Sequence, residues 1–277
     1  MTEVQKVILE IFKEIDKICR DNNIKYYAIG GTCIGAVRHQ GFIPWDDDLD
    51  IAIPIEDYDR FLDIAEKTLP DHLKVYTNKN IRHYTNLFNK IIDERTTFIE
   101  NSQIKYPDTY KGVFVDIMPL CGLPADPKQR QKFIKRLKRY SALNILRRDH
   151  KSSWKRRIGS LFGWVLSVLP YNYFSEKIYK LYRSYPLNEA EYTGYVWHSD
   201  SVDRLTFPKE FFKEAVFMPF EDASISCPAD YHDYLTQQFG DYMVIPPETE
   251  QVTHNGIVDL EKSYEWYQRN KAYKIDN

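Results

Sequence analysis

Gly30-Gly31-Thr32-Cys33-Ile34-Gly35-Ala36-Val37-Arg38 and Asp46-Asp47-Asp48-Leu49-Asp50-Ile51-Ala52-Ile53-Pro54 are the two stretches on which the reading of this chain turns. Before the first lies Ile24 to Ile29, a short run rich in aromatic and branched residues that predicts a strand stopped by the glycine pair. A short helix from Thr32 to Arg38 is expected to follow. In the second stretch apolar residues alternate with period two, so Leu49, Ile51 and Ile53 are expected to face the core and Asp48 and Asp50 the opposite side.

Working outward, Val4, Val7, Ile8, Ile11, Phe12, Ile15, Ile18 and Cys19 recur at helical spacing, which predicts an amphipathic first helix ending near Asp21-Asn22-Asn23. Glu56 to Leu69 reads as a helix. Leu73 to Tyr76, Leu87 to Asp93 and Val113 to Met118 read as strands, the last ending at Pro119. This alternation of helix and strand indicates an α/β core over residues 1–125. Beyond it the chain reads as a mainly helical subdomain, residues 126–277, packed on the core.

Composition narrows the class. A length of 277 residues allows a substantial buried interior without covalent staples. Cys19, Cys33, Cys121 and Cys227 are scattered and form no C-x-x-C pair, which argues against a disulfide framework and a structural zinc site. The charge of −2 favours no nucleic-acid partner. Glu3, Lys6, Glu10, Lys13 and Glu14 interrupt the apolar residues of the N-terminus, unlike a signal peptide, so a cytoplasmic location is expected. Charge is nevertheless concentrated locally: Lys128 to Arg157 carries 13 Lys or Arg against the single acid Asp149, and the apolar run Ile158 to Leu169 follows. Such a surface suits peripheral docking on anionic lipid, although an ordinary helical hairpin on the core has the same pattern.

The candidate chemistry rests on three features. Glycines allow close approach of backbone to a phosphate, and the amides opening the next helix favour an anion, which nominates Gly30, Gly31 and Thr32 for substrate binding. Two aspartates one residue apart on a strand bring both carboxylates to one side, where they can share a Mg²⁺ or Mn²⁺ ion. Asp116, within Val113-Phe114-Val115-Asp116-Ile117, is the third carboxylate. Phosphoryl-type transfer needs charge neutralisation and in-line positioning, and a carboxylate can take the proton of the attacking hydroxyl. Asp48, Asp50 and Asp116 are thus the candidate catalytic and metal-binding residues, in the layout of a nucleotidyltransferase fold. Sixteen residues separate Gly31 from Asp48, and an inserted loop from Arg38 to Trp45 accounts for that length. Arg38, suited to bidentate contact, and Lys90 are further candidates for phosphate contact; His39 beside Arg38 has a surface role as its alternative, and Lys90 that of a snorkelling lysine at a sheet edge.

The stretch from Gly30 to Ile51 closely resembles the signature of LicD-type phosphotransferases, and Phe239-Gly240-Asp241-Tyr242-Met243 followed by Pro246-Pro247 resembles that family's C-terminal signature. Fukutin-related transferases look like more distant relatives. The resemblance implies transfer of phosphocholine from CDP-choline, or of a similar group from another CDP-alcohol, to a sugar hydroxyl of a lipid-linked teichoic-acid or lipopolysaccharide precursor. A nucleotidyltransferase releasing pyrophosphate and a non-catalytic membrane scaffold are the alternatives.

Overall fold

The computed structural model describes residues 1–77, 81, 86–100, 111–148, 166, 168–195, 205–251 and 256–270. The first helix, α1 (Glu3–Asp21), opens on a capping box in which the Thr2 hydroxyl accepts from the Gln5 amide and the Gln5 side chain accepts from the Thr2 amide. Its apolar stripe buries Ile8, Ile11, Phe12, Ile15 and Ile18.

The chain then runs β1 (Tyr27–Ala28), α2 (Gly30–Ile34), a π-helical turn (Gly35–His39), β2 (Asp50–Pro54), α3 (Ile55–Thr68), β3 (Leu73–Tyr76), β4 (Asn89–Asp93), β5 (Thr97–Glu100) and β6 (Phe114–Leu123). After these come α4 (Pro127–Arg148), α5 (Tyr173–Tyr182), β7 (Tyr192–Tyr195), β8 (Phe207–Pro208), β9 (Ala215–Phe220), β10 (Ala223–Pro228), α6 (Tyr231–Phe239), β11 (Gly256–Asp259) and α7 (Tyr264–Asn270). The result is a mixed α/β architecture.

Five strands of the main sheet run in the order β1-β2-β6-β4-β3, and β7 and β8 extend it from β6. Only β2 and β6 are parallel; the other pairings in this sheet are antiparallel. The long strand β6 is its axis. The first part of β6 pairs with β4 as far as Ile117, and its last four residues pair with β7 from Leu120.

Pro119 does not end this strand, contrary to the expectation from sequence. It lies between the segments that pair with β4 and with β7, where a missing N–H breaks no ladder bond on that side. Beyond residue 126 helices predominate among the described residues, yet β7 and β8 join the main sheet and β9 and β10 form a hairpin. Phe133, Tyr182, Phe220 and Tyr234 belong to the same buried cluster as Phe12, Ile51 and Ile117, so one core runs through both parts of the chain. The sequence 158–169 that reads as an apolar run lies largely outside the described residues.

Candidate active site

Strand register builds the site. Asp50 of β2 stands opposite Asp116 of β6, and Asp116 stands opposite Lys90 of β4. Directly opposed residues project to the same face of a sheet, so a lysine and two aspartates form one row across three adjacent strands. All three are buried, at 6%, 7% and 5% exposure for Lys90, Asp116 and Asp50. Lys90 Nζ lies 3.0 Å from Asp116 Oδ1 and 3.2 Å from the centroid of the Phe114 ring. Asp50 Oδ1 accepts no hydrogen bond, and Asp116 Oδ1 has the nearby ammonium without hydrogen-bond alignment.

The electrostatics follow from this burial. Asp50 is pushed well above the usual carboxylate range, first by burial and then by Asp48, Asp116 and Asp46, with Lys90 opposing. Asp116 is pushed up to about 6 by burial, held down by Lys90, and raised again by Asp48 and Glu100. A buried row with more carboxylate than ammonium favours a proton or a bound cation.

Asp48 lies half-buried in the loop before β2, and its charge acts on both Asp50 and Asp116. Leu49 beside it is fully buried, and its carbonyl accepts from the Asp116 amide at 2.9 Å. Asp46 lies over the glycine turn: a Cβ on Gly31 would come within 2.7 Å of its carboxylate. These are hard oxygen donors of the kind that suits magnesium or manganese. Among the described residues, no group of three or more His, Cys, Asp or Glu side chains is arranged to hold a metal ion as it stands. The unpartnered, buried Oδ1 of Asp50 is the feature that fits a cation there.

The glycine turn is fastened to this row. Gly30 adopts the left-handed conformation at φ +57°, which a side chain would strain. Ile29 N–H donates to the Asp50 carbonyl at 3.2 Å, while Asp50 N–H donates to the Thr32 hydroxyl at 2.8 Å. The Thr32 hydroxyl thereby helps to place Asp50 and keeps its own proton to donate. Arg38, half-buried at the far end of the same helical segment, donates to the carbonyls of Tyr242 at 2.6 Å and Val244 at 3.1 Å. It also donates to His39 Nε2 at 2.9 Å. Burial and the Arg38 charge push the His39 imidazole below its ordinary value.

Gly30, Gly31, Thr32, Asp48, Asp50, Lys90 and Asp116 thus converge, whereas Arg38 joins the glycine helix to the C-terminal motif. Three further residues brace the glycine turn and the loop that follows it. Gln5, 1% exposed, donates to the carbonyls of Ile43 at 3.1 Å and Asp46 at 2.7 Å. Its only sign in the sequence is a polar residue on the apolar face of α1. Glu221, at φ +54° in the β9–β10 turn, accepts from the Phe42 amide at 3.1 Å, and its own amide donates to the Gln40 carbonyl at 2.8 Å. Tyr234 accepts from the Gly30 amide at 2.8 Å.

A family model described as LicD/FKTN/FKRP, nucleotidyltransferase domain, matches residues 23–125. The chain is 32% identical over 261 residues to the lipopolysaccharide cholinephosphotransferase LicD of Haemophilus influenzae, covering 92% of this chain and 96% of that one. An uncharacterized protein of Rickettsia prowazekii is 38% identical over 99 residues, covering 29% of this chain and 37% of its own. Another from Rickettsia typhi is 34% identical over 110 residues, covering 37% and 34% respectively. With its buried carboxylate row built from the segment that the family model matches, and with a near full-length relative, this chain belongs to the LicD family.

Proposed function

We propose that this chain transfers phosphocholine, or a similar phospho-alcohol, from a CDP-activated donor to a sugar hydroxyl of a lipopolysaccharide, teichoic-acid or related cell-surface glycan precursor. The observation that carries the reading is the row Lys90–Asp116–Asp50 beside the left-handed glycine turn. The name of the Haemophilus influenzae relative supplies the choline phosphate and the type of acceptor.

In this reading a nucleotidyltransferase-type core works as a phosphoryl-transfer site. The acceptor hydroxyl attacks the phosphorus that bears choline, a new O–P bond forms, the bond to the bridging oxygen breaks, and CMP leaves. A carboxylate of the row accepts the hydroxyl proton. Asp48, Asp50 and Asp116 are the residues that would hold a magnesium or manganese ion, which when bound supplies charge neutralisation for the donor diphosphate. Lys90 fixes the orientation of Asp116 and adds positive charge at the end of the row away from the glycine turn. Through the backbone amides that open α2, Gly31 and Thr32 would face a donor phosphate, with the Asp46 carboxylate standing over Gly31, and Arg38 sets the far end of that helix.

The solvent face of α4 suits the membrane that carries such an acceptor. Lys128, Lys132, Lys135 and Arg139 follow helical spacing and are exposed, as are Arg136 and Lys138. No helix among the described residues is long and apolar enough to cross a membrane, so the association proposed is peripheral, at the cytoplasmic face. Sedimentation with anionic liposomes at low salt tests it; equal recovery with neutral liposomes would sink the idea.

Product identification tests the reaction class. Incubation with CDP-choline and a glycan precursor is expected to yield CMP and a choline-phosphate-bearing glycan. Pyrophosphate release with nucleotide on the product would instead establish a nucleotidyltransferase.

A further inference from the structure

The Gly30 amide finds no partner in the sheet. Here the chain leaves β1 and turns into α2, and the N–H points into the protein interior, where it meets the hydroxyl of Tyr234 on α6 at 2.8 Å. That hydroxyl lies 2.6 Å from the hydroxyl of Tyr195 on β7, and Tyr195 in turn donates to Gln238 Oε1 at 2.7 Å. Each phenol has one proton, so the direction of the chain is fixed: Gly30 N–H donates to Tyr234, Tyr234 to Tyr195, and Tyr195 to Gln238. Both tyrosines are fully buried and Gln238 is 8% exposed.

This relay reaches the reactive row in one step. Gly30 lies against Asp50: a Cβ built on the glycine would stand 3.8 Å from Asp50 Oδ2. The residues on either side clamp the same aspartate, Ile29 through its amide and Thr32 through its hydroxyl. Gly30 itself is the residue whose unusual backbone has to be maintained, at φ +57°. At the other end of the glycine helix, Arg38 binds carbonyls of the turn that follows α6. One C-terminal segment therefore grips the helix at both ends, through a hydroxyl at the start and through two carbonyls at the finish.

We propose that Tyr234 is a positioning residue: by accepting from the Gly30 amide it fixes the glycine turn against Asp50, with Tyr195 and Gln238 orienting its hydroxyl. Burial and the neighbouring phenol keep Tyr234 neutral well beyond the ordinary range of tyrosine, so it acts as a fixed dipole and not as a proton donor to substrate. The inference rests on reading the row as the transfer site.

The test is a series of full-length variants, Tyr234→Phe, Tyr195→Phe and Gln238→Met, each removing one link of the relay at nearly constant volume. Turnover of CDP-choline, the KM for donor and the melting temperature are measured for each. The expected result is a fall in kcat of about tenfold or more for Tyr234→Phe, a smaller fall for Tyr195→Phe and the least for Gln238→Met, while melting temperatures drop by similar amounts. Faster exchange of the Gly30 amide in Tyr234→Phe is the matching structural readout. Loss of activity that merely follows loss of stability, or an unchanged kcat in Tyr234→Phe, overturns the proposal. If that variant does not fold, the ordering of the other two decides. Asp50→Asn in the same assay separates the two readings: if it keeps full turnover, the assignment of the row has failed, whatever the tyrosine variants do.

Discussion

Lys90 and Asp116, opposed on antiparallel strands, bring an ammonium and a carboxylate to 3.0 Å in the interior, while Asp50 on the next strand has no hydrogen bond to Oδ1. The pair makes the row half-compensated. Removing one partner of a buried ion pair leaves the other charge without compensation, so Lys90→Met is expected to lower stability by about 3 kcal/mol at pH 8. The loss should shrink at pH 5, where Asp116 can take up a proton. Urea denaturation at the two pH values checks both statements.

The pH dependence of the metal-free protein has a definite sign. The Asp116 carboxyl is raised in the folded state from 3.8 to about 6, so its contribution to stability is fully present below about pH 4 and is lost as pH rises through about 6. Asp50 is shifted in the same direction. Melting of the protein in EDTA should therefore show a decline over this window that is reduced in Asp116→Asn. A cation at the row would oppose the decline, so added Mg²⁺ should raise the melting temperature more at pH 7.5 than at pH 5.

Arg38 links two stretches of chain about 200 residues apart. Arg38→Ala removes its contacts to the carbonyls of Tyr242 and Val244 and should lower stability by about 1–2 kcal/mol. Hydrogen exchange should speed up in residues 240–245 and at the end of the glycine helix. An unchanged exchange pattern would show that the contact does not restrain either segment.

Replacing Gly30 by Ala tests the turn itself. An alanine at φ +57° carries a strain of about 1 kcal/mol, and the space near Asp50 Oδ2 is open enough that no clash adds to it. The expected outcome is a modest fall in melting temperature with a larger proportional loss of turnover. A variant as active as the parent would mean that the turn tolerates ordinary backbone geometry.

Much of this was legible in local sequence. The periodicity of α1, the helix α3, the strand Leu73–Tyr76 and the sequence around the glycine turn all follow from spacing and turn residues. The carboxylates could be nominated, but not their order across the sheet, because register is a relation between strands that no single strand encodes. Asp48 also proved to lie just ahead of β2, not on it. Pro119 misled because the penalty for proline depends on whether a partner needs its N–H, and at this gap between β4 and β7 none does on that side. The β9–β10 hairpin was hidden by a Glu221-Asp222 turn in place of the usual Asn-Gly, with Glu221 at positive φ supported through the 40–42 loop. Gln5 and Tyr234 serve the site from 41 and 204 residues away in sequence, at distances where only the folded chain reveals the contact.

The most direct test of the central claim is CMP release from CDP-choline in the presence of Mg²⁺ and a glycan acceptor, comparing the parent with Asp50→Asn and with an EDTA control. Removal of a carboxylate from a phosphoryl-transfer site is expected to reduce turnover by about 10²-fold or more, and chelation should abolish it. Because Asp50 is buried without a hydrogen bond to Oδ1, the variant should at the same time melt no lower than the parent at pH 7.5. Full CMP release by a folded Asp50→Asn protein, or release that is indifferent to EDTA, would contradict the account.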